Sequence, residues 1–323
     1  MLATCCTNTF SKYLEPSPGL EGAQGTSLRV SYLLAAMMSH SCIPNTEQAI
    51  HSLADGLKFE LWATRPIARG EQITITYTEL LAPTAVRQFE LLNSKLFLCS
   101  CRRCADPSEL GSGTSAVRCS SCLKSRKAGL LQESADSEVW QCDLCGAKFA
   151  ATTVLNLVFK IYEQMEATVN NPAVGLPGLE AFLAKYSRVL GPQHGCLLRV
   201  RYSLCGQYGR VPGYELPNLS SAQLARKQKL CTEMLAMLDR LQPGRTSRRA
   251  LILYEQHVTL LMSGQAKLGG QPKAGREELG RGLALLKEAL DILRDEPPDS
   301  FGGQLYLGGL ASLPQVEQFV SSQ

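Results

Sequence analysis

Apolar and polar positions alternate in the first part of the chain, which is the pattern of half-buried β-strands. The segment Leu57 to Ala63 ("LKFELWA") predicts one half-buried strand with Leu57, Phe59, Leu61 and Ala63 on one face. A second strand is predicted at Ile73 to Tyr77 ("ITITY"), after a tight connection that contains Pro and Gly. Upstream, we expect a loop over Glu15 to Ser27 and a short helix over Ser27 to Met38.

The spacing changes to a helical period at Thr84. This residue can cap a helix, and the apolar residues after it fall on one face: Val86, Phe89, Leu92 and Leu96. The helix is expected to run into "CSCRRC" at 99–104, and a polar segment with further cysteines follows at 105–150.

Apolar stripes at helical spacing continue from Ala150 to the C-terminus and predict a helical region. Three stripes stand out: Val154, Val158, Ile161 and Met165; Leu224, Cys231, Leu235 and Leu238; Leu279, Leu283, Leu286, Leu290 and Leu293. Gly- and Pro-rich breaks separate them, so we expect antiparallel helical hairpins, without the fixed period of a solenoid. The stripes are interpreted as core, and the late "SFGG" and "LGGL" as loops.

Length and composition are typical of a globular protein. The 323 residues, 45% of them hydrophobic, suffice for about two domains. The net charge of +4 includes no basic tract, which argues against direct nucleic-acid binding. No apolar run approaches a membrane span, and the first ten residues lack a secretory pattern. We therefore expect a cytoplasmic or nuclear protein whose thirteen cysteines are thiols or, where clustered, metal ligands.

Two CxxC pairs predict a four-cysteine zinc site. They are Cys119 with Cys122 and Cys142 with Cys145, and the gap between the pairs matches the roughly 15–20 residues typical of such sites. Each CxxC turn directs two thiolates to one point, so two turns can complete a tetrahedron around Zn²⁺. Four protein ligands leave no open position, which indicates a structural site. In a short polar segment, metal binding can supply the folding energy.

A second cysteine group, Cys99, Cys101 and Cys104, lies in a CxCxxC pattern and is one ligand short of a tetrahedron. The fourth ligand must come from elsewhere in the chain. The upstream candidates are Cys5, Cys6 and Cys42, and composition does not choose among them.

The order of three motifs resembles the second half of a SET domain with its post-SET cysteines. The motifs are "SHSCIPN" at Ser39 to Asn45, "GEQITITY" at Gly70 to Tyr77 and "FLCSCRRC" at Phe97 to Cys104. "TNTF" at Thr7 to Phe10 and the link from Tyr77 to the cysteines are similar to the SET-and-MYND branch. The four-cysteine module and "LGPQHGCLL" are most similar to arthropod-type members of that branch. The resemblance is strong over about residues 1–110 and moderate over 111–210. After residue 210 it is limited to the presence of a helical C-terminal domain.

This resemblance implies an α+β chain in three parts. Residues 1–110 would be the C-terminal part of a SET domain with the post-SET segment, 111–149 a four-cysteine zinc module, and 150–323 an all-α domain of helical hairpins. The implied activity is protein-lysine N-methylation with S-adenosylmethionine, on a histone or another protein.

The resemblance also assigns individual residues. It makes Cys42 the fourth ligand of the zinc held by Cys99, Cys101 and Cys104, so two zinc ions are expected per chain. Tyr77 matches the tyrosine that closes the active site and would be the catalytic residue, in contact with the cofactor. The other implied cofactor contacts are Asn8, Ser39, His40 and Phe97.

The sequence departs from the family pattern in two ways. Ser39 stands where the family has asparagine, which exchanges an amide for a single hydroxyl and predicts weaker cofactor binding. The glycine-rich cofactor loop, the first SET strands and the MYND finger are not found before Met1, so we expect a longer parent protein. The alternative interpretation is a catalytically inactive, zinc-stabilised scaffold that binds other proteins.

Overall fold

Three two-stranded ladders form the first part of the molecule. The computed structural model describes residues 9–14, 26–52, 54–133 and 138–323. Strand β1 (Phe10–Leu14) pairs antiparallel with β2 (Thr26–Val30), β3 (Ser39–His40) pairs parallel with β6 (Thr74–Ile75), and β4 (Thr46–Ile50) pairs antiparallel with β5 (Phe59–Ala63). The predicted loop at Glu15 to Ser27 lies almost entirely outside the described residues.

Both predicted strands exist but are shorter than expected, and the prediction of which residues of β5 are buried was wrong. Leu57 lies in a turn at φ 54°, and Leu61 is exposed whereas Trp62 is partly buried. Trp62 and Phe59 are both partly buried although they point to opposite sides of the strand, and Phe59 packs against the rings of Phe10 and Tyr32. In the second segment only Thr74–Ile75 is strand.

The helix predicted over Ser27 to Met38 was also wrong. The segment contains β2 and then a 3₁₀ turn at Ala35–Met37. Pairing with β1 supplies the hydrogen bonds of residues 26–30, so local helical spacing does not decide the conformation. Leu33, Leu34 and Met37 are each more than 80% exposed.

Helix α1 (Thr84–Lys95) confirms the predicted helix but not its predicted face. Val86 and Leu91 are buried, whereas Phe89 and Leu92 are about half exposed. The Thr84 side chain makes no capping bond and instead accepts a hydrogen bond from buried Arg87 at 2.8 Å. The buried face is therefore set by an arginine that apolar spacing ignores.

The cysteine-bearing segment folds as a small sheet with one short helix. In chain order its elements are β7 (Val117–Arg118), α2 (Ser120–Lys124), β8 (Leu130–Glu133), β9 (Val139–Cys142) and β10 (Lys148–Ala150), and the antiparallel strand order is β10-β9-β8-β7. Val117, Leu131 and Trp140 are buried in the same core as the following helices. The module is thus attached to the helical region by apolar contacts.

Seven long helices make up the rest of the described chain. They are α3 (Ala151–Val169), α4 (Gly175–Tyr186), α5 (Gly195–Gln207), α6 (Ser221–Leu241), α7 (Ser247–Lys267), α8 (Pro272–Leu293) and α9 (Phe301–Ser321). The stripe from Val154 to Met165 is buried as predicted. Among the described residues, no helix is long and apolar enough to cross a membrane.

The loops predicted at "SFGG" and "LGGL" were wrong, because both lie inside α9. The Ser300 hydroxyl caps this helix by accepting a hydrogen bond from the Gly303 N–H at 3.0 Å. A Cβ at Gly303 would stand 2.0 Å from the Pro297 carbonyl oxygen, so the glycine allows the helix to start against the preceding turn. Tertiary packing here overrides the low helix propensity of glycine.

Polar contacts join the strand region to the helices. The Ser247 N–H at the start of α7 donates to the Glu47 carboxylate at 2.7 Å, and Arg248 pairs with Glu79 at 2.9 Å. The Gly195 N–H at the start of α5 donates to the Thr114 carbonyl at 2.9 Å. These bonds hold the "LGPQHGCLL" segment and α7 against the part of the chain that contains the candidate site.

Candidate active site and metal centres

Cys42, Cys99, Cys101 and Cys104 come together although 57 residues separate the first two. All four sulfur atoms lie within 4.8 Å of one another. The Cys42 sulfur is 3.5 Å from that of Cys104 and 4.0 Å from that of Cys99. The structure therefore brings Cys42 to the CxCxxC group, whereas the other two upstream candidates, Cys5 and Cys6, lie outside the described residues.

The spacing of these sulfurs fits a zinc ion. Zinc–sulfur bonds of about 2.3 Å in a tetrahedron place the sulfurs about 3.8 Å apart. The distances at Cys42 bracket this value, and Cys42 and Cys99 are almost completely buried. Four soft sulfur donors favour zinc over hard cations such as Ca²⁺ or Mg²⁺.

Asn45 holds the turn that presents Cys42. Its amide group donates to the Glu71 carboxylate at 3.1 Å and to the Gln72 carbonyl at 2.9 Å, and its amide oxygen accepts from the Thr74 N–H at 2.9 Å. The side chain is 2% exposed, so these bonds replace water. Asn45 therefore fastens the first motif to the second, a role that the spacing of the motifs did not reveal.

A buried ion cluster lies behind the first cysteine group and was missed by sequence reasoning. Glu109 pairs with Arg87 at 2.9 Å and with Arg103 at 2.8 Å, and all three side chains are at most 2% exposed. Burial alone would raise the pKa of Glu109, but the two guanidinium groups outweigh it and lower that pKa to about 2. The available signal was Arg87 itself, four residues before buried Leu91 on the same helical face.

Arg87 also reaches the sulfur atoms. Its Nε donates to the Cys42 sulfur at 3.2 Å, and one of its terminal nitrogens lies 3.5 Å from the Cys104 sulfur. The other terminal nitrogen carries the bond to Glu109. One side chain thus connects two of the four candidate ligands to the ion cluster.

Cys119, Cys122, Cys142 and Cys145 form the second group. Their sulfurs also lie within 4.8 Å of one another, at 3.7 Å between Cys119 and Cys145 and 3.6 Å between Cys122 and Cys142. A Cβ at Gly129 would stand 2.6 Å from the Cys142 sulfur, so only glycine fits beside the group. Donor set, spacing and this cradle all fit a structural zinc ion.

His40, Tyr77 and Phe97 gather next to the first cysteine group. The His40 ring lies 5.2 Å from the Tyr77 ring and 6.1 Å from the Phe97 ring. His40 Nδ1 accepts from the Tyr77 N–H at 3.0 Å, and its Nε2 is 3.2 Å from the Cys42 sulfur. Both ring nitrogens therefore face protein groups, and burial lowers the pKa of this imidazole to about 4.

Tyr77 lines a cavity of about 200 Å³ beside β1 and α1. Phe10, Gln48, Thr76 and Lys95 also line it. Burial raises the pKa of the Tyr77 phenol, whose hydroxyl donates to the Met38 carbonyl. Ligand pockets usually measure about 300–1,000 Å³, so the cavity that the described residues enclose is smaller than a usual ligand pocket.

The two remaining predicted contacts differ in what the structure describes. The Ser39 hydroxyl accepts a hydrogen bond from the Gln72 side chain at 2.7 Å, next to His40 in β3. Asn8 lies outside the described residues. The roles of Tyr77, Ser39, His40, Phe97 and Asn8 in catalysis or cofactor binding stay predictions.

Comparison with known proteins shows which domain and which proteins this chain is similar to. Residues 7–78 match the SET domain. The SET domain-containing protein SmydA-8, isoform B, of Drosophila melanogaster is 38% identical over 115 residues, which are 36% of this chain and 24% of that protein. N-lysine methyltransferase SMYD2-A of Xenopus laevis is 37% identical over 79 residues, 23% of this chain and 17% of the relative.

A third relative extends the same pattern. N-lysine methyltransferase SMYD2 of Gallus gallus is 38% identical over 69 residues, 21% of this chain and 15% of that protein. The chain thus spans about a quarter or less of the length of these curated relatives. The matched segment contains Ser39 to Tyr77, and the structure joins it to the CxCxxC cysteines through Cys42. Residues 7–78 thus match a SET domain, and over this part the chain is similar to SET-and-MYND lysine methyltransferases.

Proposed function

We propose that this chain carries the tyrosine and post-SET side of the active site of a protein-lysine N-methyltransferase that uses S-adenosylmethionine. The observation that supports this most directly is the packing of His40, Tyr77 and Phe97 against the group that includes Cys42. A zinc ion at that group would fix the segment that contains Phe97 beside Tyr77. The residues available for the cofactor are Ser39, His40, Tyr77 and Phe97, with Asn8 proposed from the resemblance.

The chemistry requires a neutral amine that is aimed at a methyl group. S-adenosylmethionine, when bound, supplies that methyl group activated by a sulfonium charge. The Tyr77 phenol is protonated at neutral pH, and burial raises its pKa further, so its hydroxyl can orient the amine without acting as a base. The buried side chains of Ala35 and Ile75 form an apolar part of the cavity wall, and an amine bound against them would be favoured in its neutral form.

The proposed partner is a protein with a target lysine, either a histone or another protein, in the cytoplasm or the nucleus. The names of the SMYD2 relatives support lysine as the acceptor. Zinc at both cysteine groups is part of the proposal, with a structural role at each. Elemental analysis should give two zinc ions per chain, and one or none would refute the cysteine assignment.

The test of the enzymatic proposal is calorimetry with S-adenosylmethionine on the full chain, followed by mass spectrometry of lysine peptides. We expect binding that Ser39→Asn strengthens by about tenfold, because the amide restores a contact typically contributing about 1–3 kcal/mol. Tyr77→Phe should keep binding and lose methyl transfer. No heat at high cofactor concentration with two zinc ions present would contradict cofactor use by this chain.

The second candidate function is a zinc-stabilised scaffold without methyl transfer. It is favoured by the bond between the Ser39 hydroxyl and Gln72, which occupies the group proposed to meet the cofactor, and by the small cavity beside Tyr77. A scaffold would retain two zinc ions and bind no cofactor in either the wild type or Ser39→Asn. Cofactor binding by Ser39→Asn alone would identify the serine as the reason for lost affinity.

A further inference from the structure

We propose that Arg87 is the charge partner of the metal ion at the Cys42 group and determines how firmly that ion is held. The inference rests on the proposed zinc ion at Cys42, Cys99, Cys101 and Cys104 and assigns a role to a residue that is not a ligand. Arg87 touches two of the four sulfurs, at 3.2 Å for Cys42 and 3.5 Å for Cys104.

The argument begins with the charge of the site. Zn²⁺ with four thiolates carries a net charge of −2, and Cys42 and Cys99 are at most 8% exposed. A buried net charge is costly unless nearby groups of opposite sign compensate it. The adjacent cluster contains two arginines and one carboxylate and so carries one net positive charge, and Arg87 is the arginine whose side chain contacts the sulfurs.

Hydrogen bonding supports the same assignment. Outer groups that donate to metal ligands fix their orientation and reduce their tendency to take up a proton and dissociate. Arg87 does this for ligands from both parts of the site, the Cys42 turn and the CxCxxC segment. Its planar guanidinium can reach two sulfurs and Glu109 at once, which the single ammonium of a lysine cannot.

The second cysteine group lacks such a partner in the part of the chain that the structure describes. There the Cys142 sulfur lies near the backbone N–H groups of Leu144 and Cys145, at 3.4 and 3.5 Å. Cys145 is exposed, so water screens the charge of that site. The second group is therefore an internal reference for any change at Arg87.

Arg103 provides the matched control variant. It is as buried as Arg87 and shares the ion pair with Glu109, but its other bonds go to oxygens rather than to sulfur: the Leu80 carbonyl, the Thr114 hydroxyl and, at 3.4 Å, the backbone carbonyl of Cys42. A purely structural role of the ion cluster predicts equal effects for Arg87→Met and Arg103→Met. Direct charge compensation predicts an effect on the first metal site that is much larger for Arg87→Met.

The experiment measures zinc release from the full chain to a chromogenic chelator, together with the sulfur-to-metal band after cobalt substitution. For the wild type we expect two ions and two release phases. Arg87→Met should weaken retention in one phase by about 10- to 100-fold and shift part of the cobalt band, while the other phase stays unchanged. Arg87→Lys should fall between Arg87→Met and the wild type.

Each other outcome overturns a specific statement. Equal acceleration of both phases, or equal effects of Arg87→Met and Arg103→Met, would leave only a structural role and overturn the inference. Two ions with unchanged release in Arg87→Met would also overturn it. If Arg87→Met does not fold, an unshifted cobalt band and wild-type release in Arg87→Lys contradict the proposal. A wild type without metal refutes the zinc sites themselves, which is a separate failure.

Discussion

The two cysteine groups have the same donors but are built in opposite ways. The second uses two local CxxC turns, joined by a small sheet whose Val117, Leu131 and Trp140 belong to the helical core. The first joins Cys42 to a segment 57 residues later and is backed by the Arg87–Glu109–Arg103 cluster. In this protein, an apolar core positions the local cysteine motif, whereas buried polar groups align the distant parts of the first cysteine group.

Metal removal should separate the two groups most clearly. Structural zinc contributes on the order of 10 kcal/mol in small domains. Without it, residues 97–104 have little apolar burial of their own, whereas β8 and β9 remain packed through Leu131 and Trp140. We expect hydrogen exchange after chelation to show loss of protection at 97–104 and partial protection at β8 and β9. Equal loss of hydrogen-exchange protection in both regions would contradict the proposed difference between the two cysteine groups.

Removing the counter-ion of the arginine cluster should have the next largest effect. Glu109→Gln removes the carboxylate that pairs with both Arg87 and Arg103, and breaking a buried ion pair in this way typically costs about 3–5 kcal/mol. Urea unfolding would measure the loss. Glu60→Gln, at a more exposed ion pair, is the control and should change the free energy of unfolding by less than about 1 kcal/mol.

The attachments of the two regions to the helices should differ in their dependence on pH. Burial, with repulsion from Glu296, raises the pKa of Glu47 to about 7 despite the bond from Ser247 and the charge of Arg248. A carboxyl group whose pKa is higher in the folded than in the unfolded state makes its full contribution to the stability of the fold below the unfolded-state pKa of about 4.5. This contribution is lost as the pH rises through the folded-state pKa of about 7. The loss should be at most about 3 kcal/mol.

Unfolding midpoints between pH 5 and 8 would test this dependence. We expect Glu47→Gln to flatten the profile and to raise stability at pH 8, because Gln remains neutral and can still accept from the Ser247 N–H. The attachment of the second group is apolar and should show no such slope. An unchanged slope in Glu47→Gln would show that other groups cause the pH dependence.

The smallest expected effect comes from filling the cradle of the second group. In Gly129→Ala the new Cβ would stand 2.6 and 2.7 Å from the Cys142 and Cys122 sulfurs, and overpacking of this kind costs about 1–3 kcal/mol. Zinc release should accelerate from the second group only. Gly206→Ala, where nothing lies within 4 Å of the added carbon, is the matched control. Faster release from the first group would break the proposed independence of the two sites.

Local sequence patterns predicted where helices and strands lie better than they predicted which side of each is buried. The helical spacing of apolar residues predicts α1 at Thr84–Lys95, but it places Phe89 on the core face and gives no sign that Arg87 is buried. Burial of Arg87 depends on Glu109, 22 residues away, and no helical period contains that information. Likewise, α9 includes glycines that local propensity assigns to loops, because Ser300 caps the helix and Gly303 fits against Pro297.

Short-range spacing in the sequence predicted the second cysteine group and the helical period of the C-terminal region, and the order of three motifs carried the resemblance to a SET domain, which implied Cys42 as the fourth ligand of the first group. Tertiary contacts bring the Cys42 sulfur to those of Cys99, Cys101 and Cys104, tie Asn45 to the next motif and direct Arg87 to sulfur. These contacts join residues that are distant in the chain. They form only when burial removes water and leaves each polar group to find its partner inside the protein.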